Sequence, residues 1–143
     1  MRGYTAAELR LGQKAEFRRR ITEDTVNLFA SLSGDRNPLH LDEDYAKTTR
    51  FAGRIAHGMI AAGFISAAMV ETIPGPGAVY LSQTLEFLRP IAIGETLTVE
   101  LEILTKDEAK NRLRLKTVCR ASDGQVAVSG EASVMPTRQP LFL

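Results

Sequence analysis

Between Ile55 and Ile73 the only polar side chains are His57, Ser66, Glu71 and Thr72, and this stretch constrains the fold more than any other. Pro74-Gly75-Pro76-Gly77 ends it, because proline cannot continue a helix. A helix is expected over about Gly58 to Thr72, apolar on every side, and such a helix must be buried all round. It approaches the length of a bilayer span. However, it is rich in Ala and Gly rather than Leu and has an ionisable group near each end, which favours a protein core and no membrane.

The cover has to come from the rest of the chain. Lys14 to Ile21 alternates, with Ala15, Phe17, Arg19 and Ile21 on one face, as a half-exposed strand does. Its Arg18-Arg19-Arg20 run is read as a solvated face. Thr22 suits an N-cap, with Glu23 and Asp24 in the first turn, and Val26, Phe29 and Leu32 (with Leu28) give helical spacing over about Glu23 to Ser33. Gly34 suits its end. A second short helix is expected over Asp42 to Lys47 and a loop over Thr48 to Gly53. Beyond the long helix the period becomes two. Strands are expected over Val79 to Phe87, around Leu97 to Ile103, around Leu113 to Cys119 and over Val126 to Met135. Polar turns at Gly94-Glu95, Lys106 to Asn111 and Ser122-Asp123-Gly124 separate them. Short polar turns favour antiparallel neighbours. The expected class is α+β, with a strongly curved sheet around the helix, completed by a second subunit that uses an exposed sheet edge.

At 143 residues the chain fits one domain, 1–143, with a proper core. A net charge of +1 gives no general reason to expect nucleic acid as partner. Cys119 is the only cysteine, so an intrachain disulfide is excluded and a reducing compartment is expected, with Cys119 as inert core. With it and two histidines there is no structural zinc spacing, and no metal is expected. The N-terminus lacks the apolar run of a secretory signal, so a cytoplasmic location is expected.

The chemistry-bearing stretch is Leu32-Ser33-Gly34-Asp35-Arg36-Asn37-Pro38-Leu39-His40. Asn37 is pushed towards extended geometry by the proline that follows, so a stiff loop is expected rather than a helical turn. On such a loop the Asp35 carboxylate and the His40 imidazole can converge, which suits proton transfer. Gly-Asp-x-Asn-Pro is also an ordinary helix-capping turn, and the residues alone leave both readings open.

The longer pattern resembles the MaoC-like (R)-specific enoyl-CoA hydratases. The resemblance runs from the loop, with Ala46 after five further residues, through Ile55-Ala56-His57-Gly58-Met59 to Ser66. It continues into Val79-Tyr80-Leu81-Ser82-Gln83 and Phe87-Leu88-Arg89-Pro90-Ile91. The compact length is similar to short bacterial members linked to polyhydroxyalkanoate supply. The resemblance implies a hot-dog fold, usually homodimeric, and reversible addition of water to a trans-2-enoyl-CoA to give (R)-3-hydroxyacyl-CoA. It implies Asp35 and His40 as the catalytic pair, Gly58 as the oxyanion-hole amide and Ser66 as the active-site serine.

Those roles suit the chemistry. Water must be deprotonated as it attacks Cβ, a proton must reach Cα, and charge gathering on the thioester oxygen must be stabilised. Asp35 and His40 can share one water, and which is the formal base stays open. Gly58 falls at the start of the long helix, where amides lack intrahelical partners, although a glycine there also suits close packing. Ser66 either faces the pocket or bonds back to a helix carbonyl. His57 is a rival imidazole, read as structural at the helix start. No cofactor motif occurs, and coenzyme A enters only as part of the substrate. Arg36, Arg54 and Arg89 are candidates for its phosphates. The alternatives are a hot-dog thioesterase, whose carboxylate usually lies on the central helix, and a non-catalytic acyl-CoA-binding subunit.

Overall fold

The computed structural model describes residues 1–143. A six-stranded antiparallel sheet runs in the order β2 (Lys14–Arg20), β5 (Thr96–Asp107), β6 (Arg112–Arg120), β7 (Val126–Met135) and β3 (Val79–Gln83), with β4 (Glu86–Phe87) also on β7. Its inner face packs on α4 (Gly58–Glu71), which touches β2, β5 and β6. This is the sheet wrapped on a central helix that the all-round apolar helix requires, and the hot-dog arrangement that the family resemblance implies. A two-residue pairing of β1 (Arg2–Gly3) with β8 (Leu141–Phe142) joins the termini. That pairing was not legible in the sequence, since two residues carry no period.

The period of two places Leu97, Val99, Leu101 and Ile103 of β5, and Leu113, Leu115, Thr117 and Cys119 of β6, on the buried face. Burying an aliphatic side chain of this size contributes about 1.5–3 kcal/mol. Against them α4 sets Ile60, Ala61, Phe64, Ile65, Ala68 and Met69. The cover is incomplete. Met59 is 51% and Val70 41% exposed, and Gly63 and Ser66 lie exposed between them. These positions are three or four residues apart, so they form one stripe. No helix is long and apolar enough to cross a membrane.

Three sequence expectations need correction. Val79 to Phe87 is not one strand: it breaks at Thr84-Leu85 into β3 and β4. There the Thr84 N–H donates to the Glu131 carbonyl and its hydroxyl accepts from the Glu131 N–H, so a side chain enters the ladder. The turn expected from Lys106 starts later, because β5 pairs with β6 as far as Asp107. In α1 (Glu23–Ser33) Val26 and Ala30 are buried, whereas Leu28 and Leu32 point to solvent.

Burial holds two acidic protons on β3 and β6. It pushes the Cys119 thiol from 9.0 up to about 12; the Tyr80 phenol, on a residue still 37% exposed, is raised from 10.0 to about 12 by partial desolvation, with Cys119 adding repulsion. Both values are raised on folding, so the protonated forms favour the native state. Their contribution is complete below the unfolded values and is lost as pH rises through the folded ones. Urea midpoints are therefore expected to be insensitive to these groups below about pH 9 and to fall between about pH 9 and 12. Cys119→Val should flatten part of that fall, and an unchanged alkaline slope would contradict it.

Candidate active site

The loop after α1 is built from a series of short side-chain hydrogen bonds. Gly34, at φ 80°, ends α1 in the left-handed conformation that glycine reaches without strain. Ser33 Oγ donates to the Phe29 carbonyl and accepts from the Asp35 N–H at 3.1 Å. Asp35 Oδ1 accepts from the Asn37 N–H at 3.2 Å, and Asn37 Oδ1 from the Leu39 N–H at 3.0 Å. Three alternate residues, Ser33, Asp35 and Asn37, thus accept from the amide two positions on, as Ser, Asp and Asn do in turns. The last of these bonds caps a short helix, α2 (Pro38–Leu41), with proline at its start. The loop expected up to His40 is therefore a helical turn from Pro38 onward. Proline suits the first helical position because the N–H it lacks would have no helical partner. Asp42 accepts from the Tyr45 N–H and caps α3 (Glu43–Lys47).

His40 projects from α2 and is buried. Its Nδ1 donates to the Ile55 carbonyl at 2.8 Å. A carbonyl only accepts, so Nδ1 carries a proton, and in the neutral ring Nε2 keeps a lone pair. Arg54 secures the turn: its Nε donates to the His40 carbonyl at 2.7 Å, and its two terminal nitrogens hold both carboxylate oxygens of Glu23. Arg54 is thus committed to the fold, which removes it from the phosphate-binding candidates.

Gly58 opens α4, and no backbone acceptor takes its N–H or that of Met59. The strand-like step before it is clamped: Ala56 N–H donates to the Ile91 carbonyl at 2.7 Å, and Ile55 bridges Ala92. Unpartnered amides at a helix start, backed by the helix dipole, suit a developing oxyanion. Gly58 also packs against Phe87, where a Cβ would lie 2.7 Å and 2.8 Å from two ring carbons.

His40 and Gly58 line one cavity of about 370 Å³, with Met59, Phe87, Arg50 and Arg89 among its other walls. That volume is in the range of small-molecule sites. A larger hollow of about 540 Å³ lies on the outer sheet face, lined by charged groups such as Lys14, Glu102 and Lys116, and contains none of the residues above. An Asp35 carboxylate oxygen and one ring nitrogen each of His40 and His57 lie within 4.8 Å of one another. The structure thus brings Asp35 beside His40 and sets His40 and Gly58, but not Asp35, on the cavity wall. It leaves Ser66 exposed, outside the cavity, on the uncovered stripe of α4. Arg89 lines the cavity and Arg36 does not. Arg50 was missed; a lone arginine in a polar loop has no sequence signal. His57 lies closer to the chemistry than its helix-start position suggested.

Asp35, His40 and His57 carry donor types that bind metals. The two imidazoles are stacked, however, with centroids 4.0 Å apart and planes tilted by 34°. Each has one nitrogen committed to a carbonyl, His40 to Ile55 and His57 to Asp35. Lone pairs in stacked rings do not point at a common centre, and the arrangement suits proton transfer better than chelation.

Residues 6–124 match the family model for the MaoC like domain. An (R)-specific enoyl-CoA hydratase from Rhodospirillum rubrum is 44% identical over 128 residues, covering 90% of this chain and 88% of that protein. The unliganded R-hydratase PhaJ1 from Pseudomonas aeruginosa superposes with a TM-score of 0.94 at 49% identity, covering 98% of this chain and 90% of its own. The (R)-hydratase from A. caviae involved in PHA biosynthesis gives 0.85 at 41% identity, covering 88% and 96%. A family match spanning most of the chain, together with this likeness of fold, shows that the protein belongs to the MaoC-like family.

Proposed function

We infer that this chain is a hydro-lyase that adds water to trans-2-enoyl-CoA thioesters, reversibly, to give (R)-3-hydroxyacyl-CoA. The observation that carries the inference is the approach of the Asp35 carboxylate to the His40 ring, with His40 itself on the wall of a cavity that Gly58 also lines. A water held between Asp35 and His40 Nε2 meets two acceptors. As its oxygen bonds to Cβ, one of its protons passes to the pair. The pair returns a proton to Cα, so the reaction balances without an oxidant or a cofactor. Charge gathers meanwhile on the thioester oxygen, and the Gly58 N–H at the start of α4 stabilises it. Coenzyme A enters only as part of the substrate. Arg50 at the cavity suits its phosphates, whereas Arg89, also on the cavity wall, is paired with Gln125 and Asp123. The R. rubrum relative supports the same activity by its name.

The uncovered stripe of α4 and the exposed Val79, Tyr80 and Leu81 of edge strand β3 support a homodimer of single hot-dog units, since an open edge beside an apolar patch invites a second copy. Ser66 lies on that stripe, and covering it would enclose the hydroxyl as a substrate-binding group. A cytoplasmic enzyme supplying polyhydroxyalkanoate monomers is the setting we favour, on the A. caviae likeness. The thioesterase alternative lacks its usual carboxylate: on α4 only Glu71 is acidic, at the far end and exposed.

The test is to follow enoyl absorbance with crotonyl-CoA and a longer trans-2-enoyl-CoA while titrating free thiol. Loss of conjugation without thiol release, and an (R)-alcohol by chiral analysis, is expected. Prompt thiol release would replace hydratase by thioesterase. Saturable acyl-CoA binding with no turnover would point to a binding subunit.

A further inference from the structure

We propose that His57 is a positioning residue for the reaction, holding the Asp35 loop against α4 so that the carboxylate and the Gly58 amide keep a fixed separation. The proposal rests on the hydratase reading for its kinetic consequences. His57 is 2% exposed, and its ring packs between Phe29, 4.8 Å away by centroids, and His40, 4.0 Å away. Its Nε2 donates to the Asp35 carbonyl at 2.9 Å, which leaves Nδ1 as a lone pair. That Nδ1 is buried and has no hydrogen-bond partner. Burying an unpaired polar atom is unfavourable, and such an atom in a folded protein calls for an explanation. Leucine would fill the space without that cost.

The Nε2 bond supplies the explanation. The other bonds that shape the loop around Asp35 are local: Ser33 Oγ to the Asp35 N–H, and Asp35 Oδ1 to the Asn37 N–H. They set the shape of the loop; its far end is placed by the bonds from His40 to the Ile55 carbonyl and from Arg54 to the His40 carbonyl, neither of which reaches Asp35. The His57 bond spans 22 residues and fixes the loop to the start of α4. The next residue in the chain is Gly58. One residue therefore ties the acid–base pair to the oxyanion amide, by its side chain on one side and its backbone on the other. Its stacking on His40 restrains the second member of the pair. A catalytic group misplaced by about 1 Å can cost on the order of 10²-fold in rate, so this one bond carries a large kinetic consequence.

Three replacements separate positioning from packing. Glutamine places its amide nitrogen near the position of His Nε2 and keeps the donor. Asparagine is too short to reach the Asp35 carbonyl. Leucine fills the volume and donates nothing. For His57→Gln, kcat is expected within about tenfold of the parent. For His57→Asn and His57→Leu it should fall roughly 10²-fold, with KM within about threefold because the thioester contacts remain. A packing role predicts the opposite order, with Leu best and kcat following the melting temperature. That order, or equal kcat for Gln and Leu, would overturn the proposal. Amide hydrogen exchange at Ile55, whose N–H donates to the Leu39 carbonyl between the loop segment and the residues leading into α4, gives a second readout independent of turnover. Its protection should drop in the Leu and Asn variants and persist in the Gln variant. If the parent protein hydrates no enoyl-CoA, the hydratase reading fails while the exchange pattern still decides the role of His57: unchanged protection in all three variants would overturn it.

Discussion

Asp35→Asn should lower kcat by about 10²–10⁴-fold, the range for loss of a positioned acid or base, while acyl-CoA binding and thermal stability change little. Asparagine has the same shape and its Oδ1 can still accept from the Asn37 N–H that holds Asp35 Oδ1 at 3.2 Å, so the turn survives. What disappears is the anionic acceptor for the water proton. His40→Ala should cost a similar factor by removing Nε2, with some loss of stability because the ring is buried, bonded to the Ile55 carbonyl and stacked on His57. Residues that act as a unit are not additive. The double variant should therefore be no slower than the slower single within about threefold. Single-turnover hydration and equilibrium binding of a saturated acyl-CoA separate the two effects. Retention of more than about a tenth of parental kcat in Asp35→Asn would remove the carboxylate from the chemistry.

Where local rules coincide with tertiary demand, the chain was legible. Thr22 caps α1 as read, accepting from the Thr25 N–H, and Gly34 ends it. The alternation Leu113, Leu115, Thr117, Cys119 appears unchanged on the inner face of β6. Apolar α4 demanded a wrapped sheet, and the sheet is there. What failed depends on contacts between distant segments. Leu28 and Leu32 have helical spacing, but the side of α1 they occupy meets nothing in this chain. The Pro38–Leu41 turn was hidden because Asn-Pro signals extended geometry at Asn37 alone, and proline at a first helical position permits a helix immediately afterwards. His57 was read from its place at a helix start. Its partner, the Asp35 carbonyl, is a backbone group, and no residue type announces that. Arg54 looked like a phosphate ligand because its charge shows in sequence whereas its bond to the His40 carbonyl does not.

Gly58→Ala should reduce kcat/KM by tens to hundreds of fold, approaching the 10²–10³-fold typical of losing an oxyanion donor, without a matching loss of stability. At an exposed helical site the change from Gly to Ala would favour the helix by up to about 1 kcal/mol. Here the new methyl meets the Phe87 ring, with carbon–carbon distances of 2.7 Å and 2.8 Å before relaxation. Phe87 is 53% exposed, so the ring can swing away, or the first turn of α4 can shift and carry its amide off line. The two responses differ in consequence. A swinging ring alters the cavity wall and raises KM; a shifting amide lowers kcat. The clamp of Ala56 on the Ile91 carbonyl resists the second, and the exposed position of the ring eases the first, so a rise in KM should accompany the fall in kcat. Phe87→Ala removes the obstruction and should restore part of the lost rate when combined with Gly58→Ala. A coupling of about 0.5–3 kcal/mol is expected for residues in direct contact. Strict additivity of the two changes in kcat/KM would mean that the methyl acts on the substrate directly, and the requirement for glycine would then lie in access of the thioester rather than in its packing against Phe87.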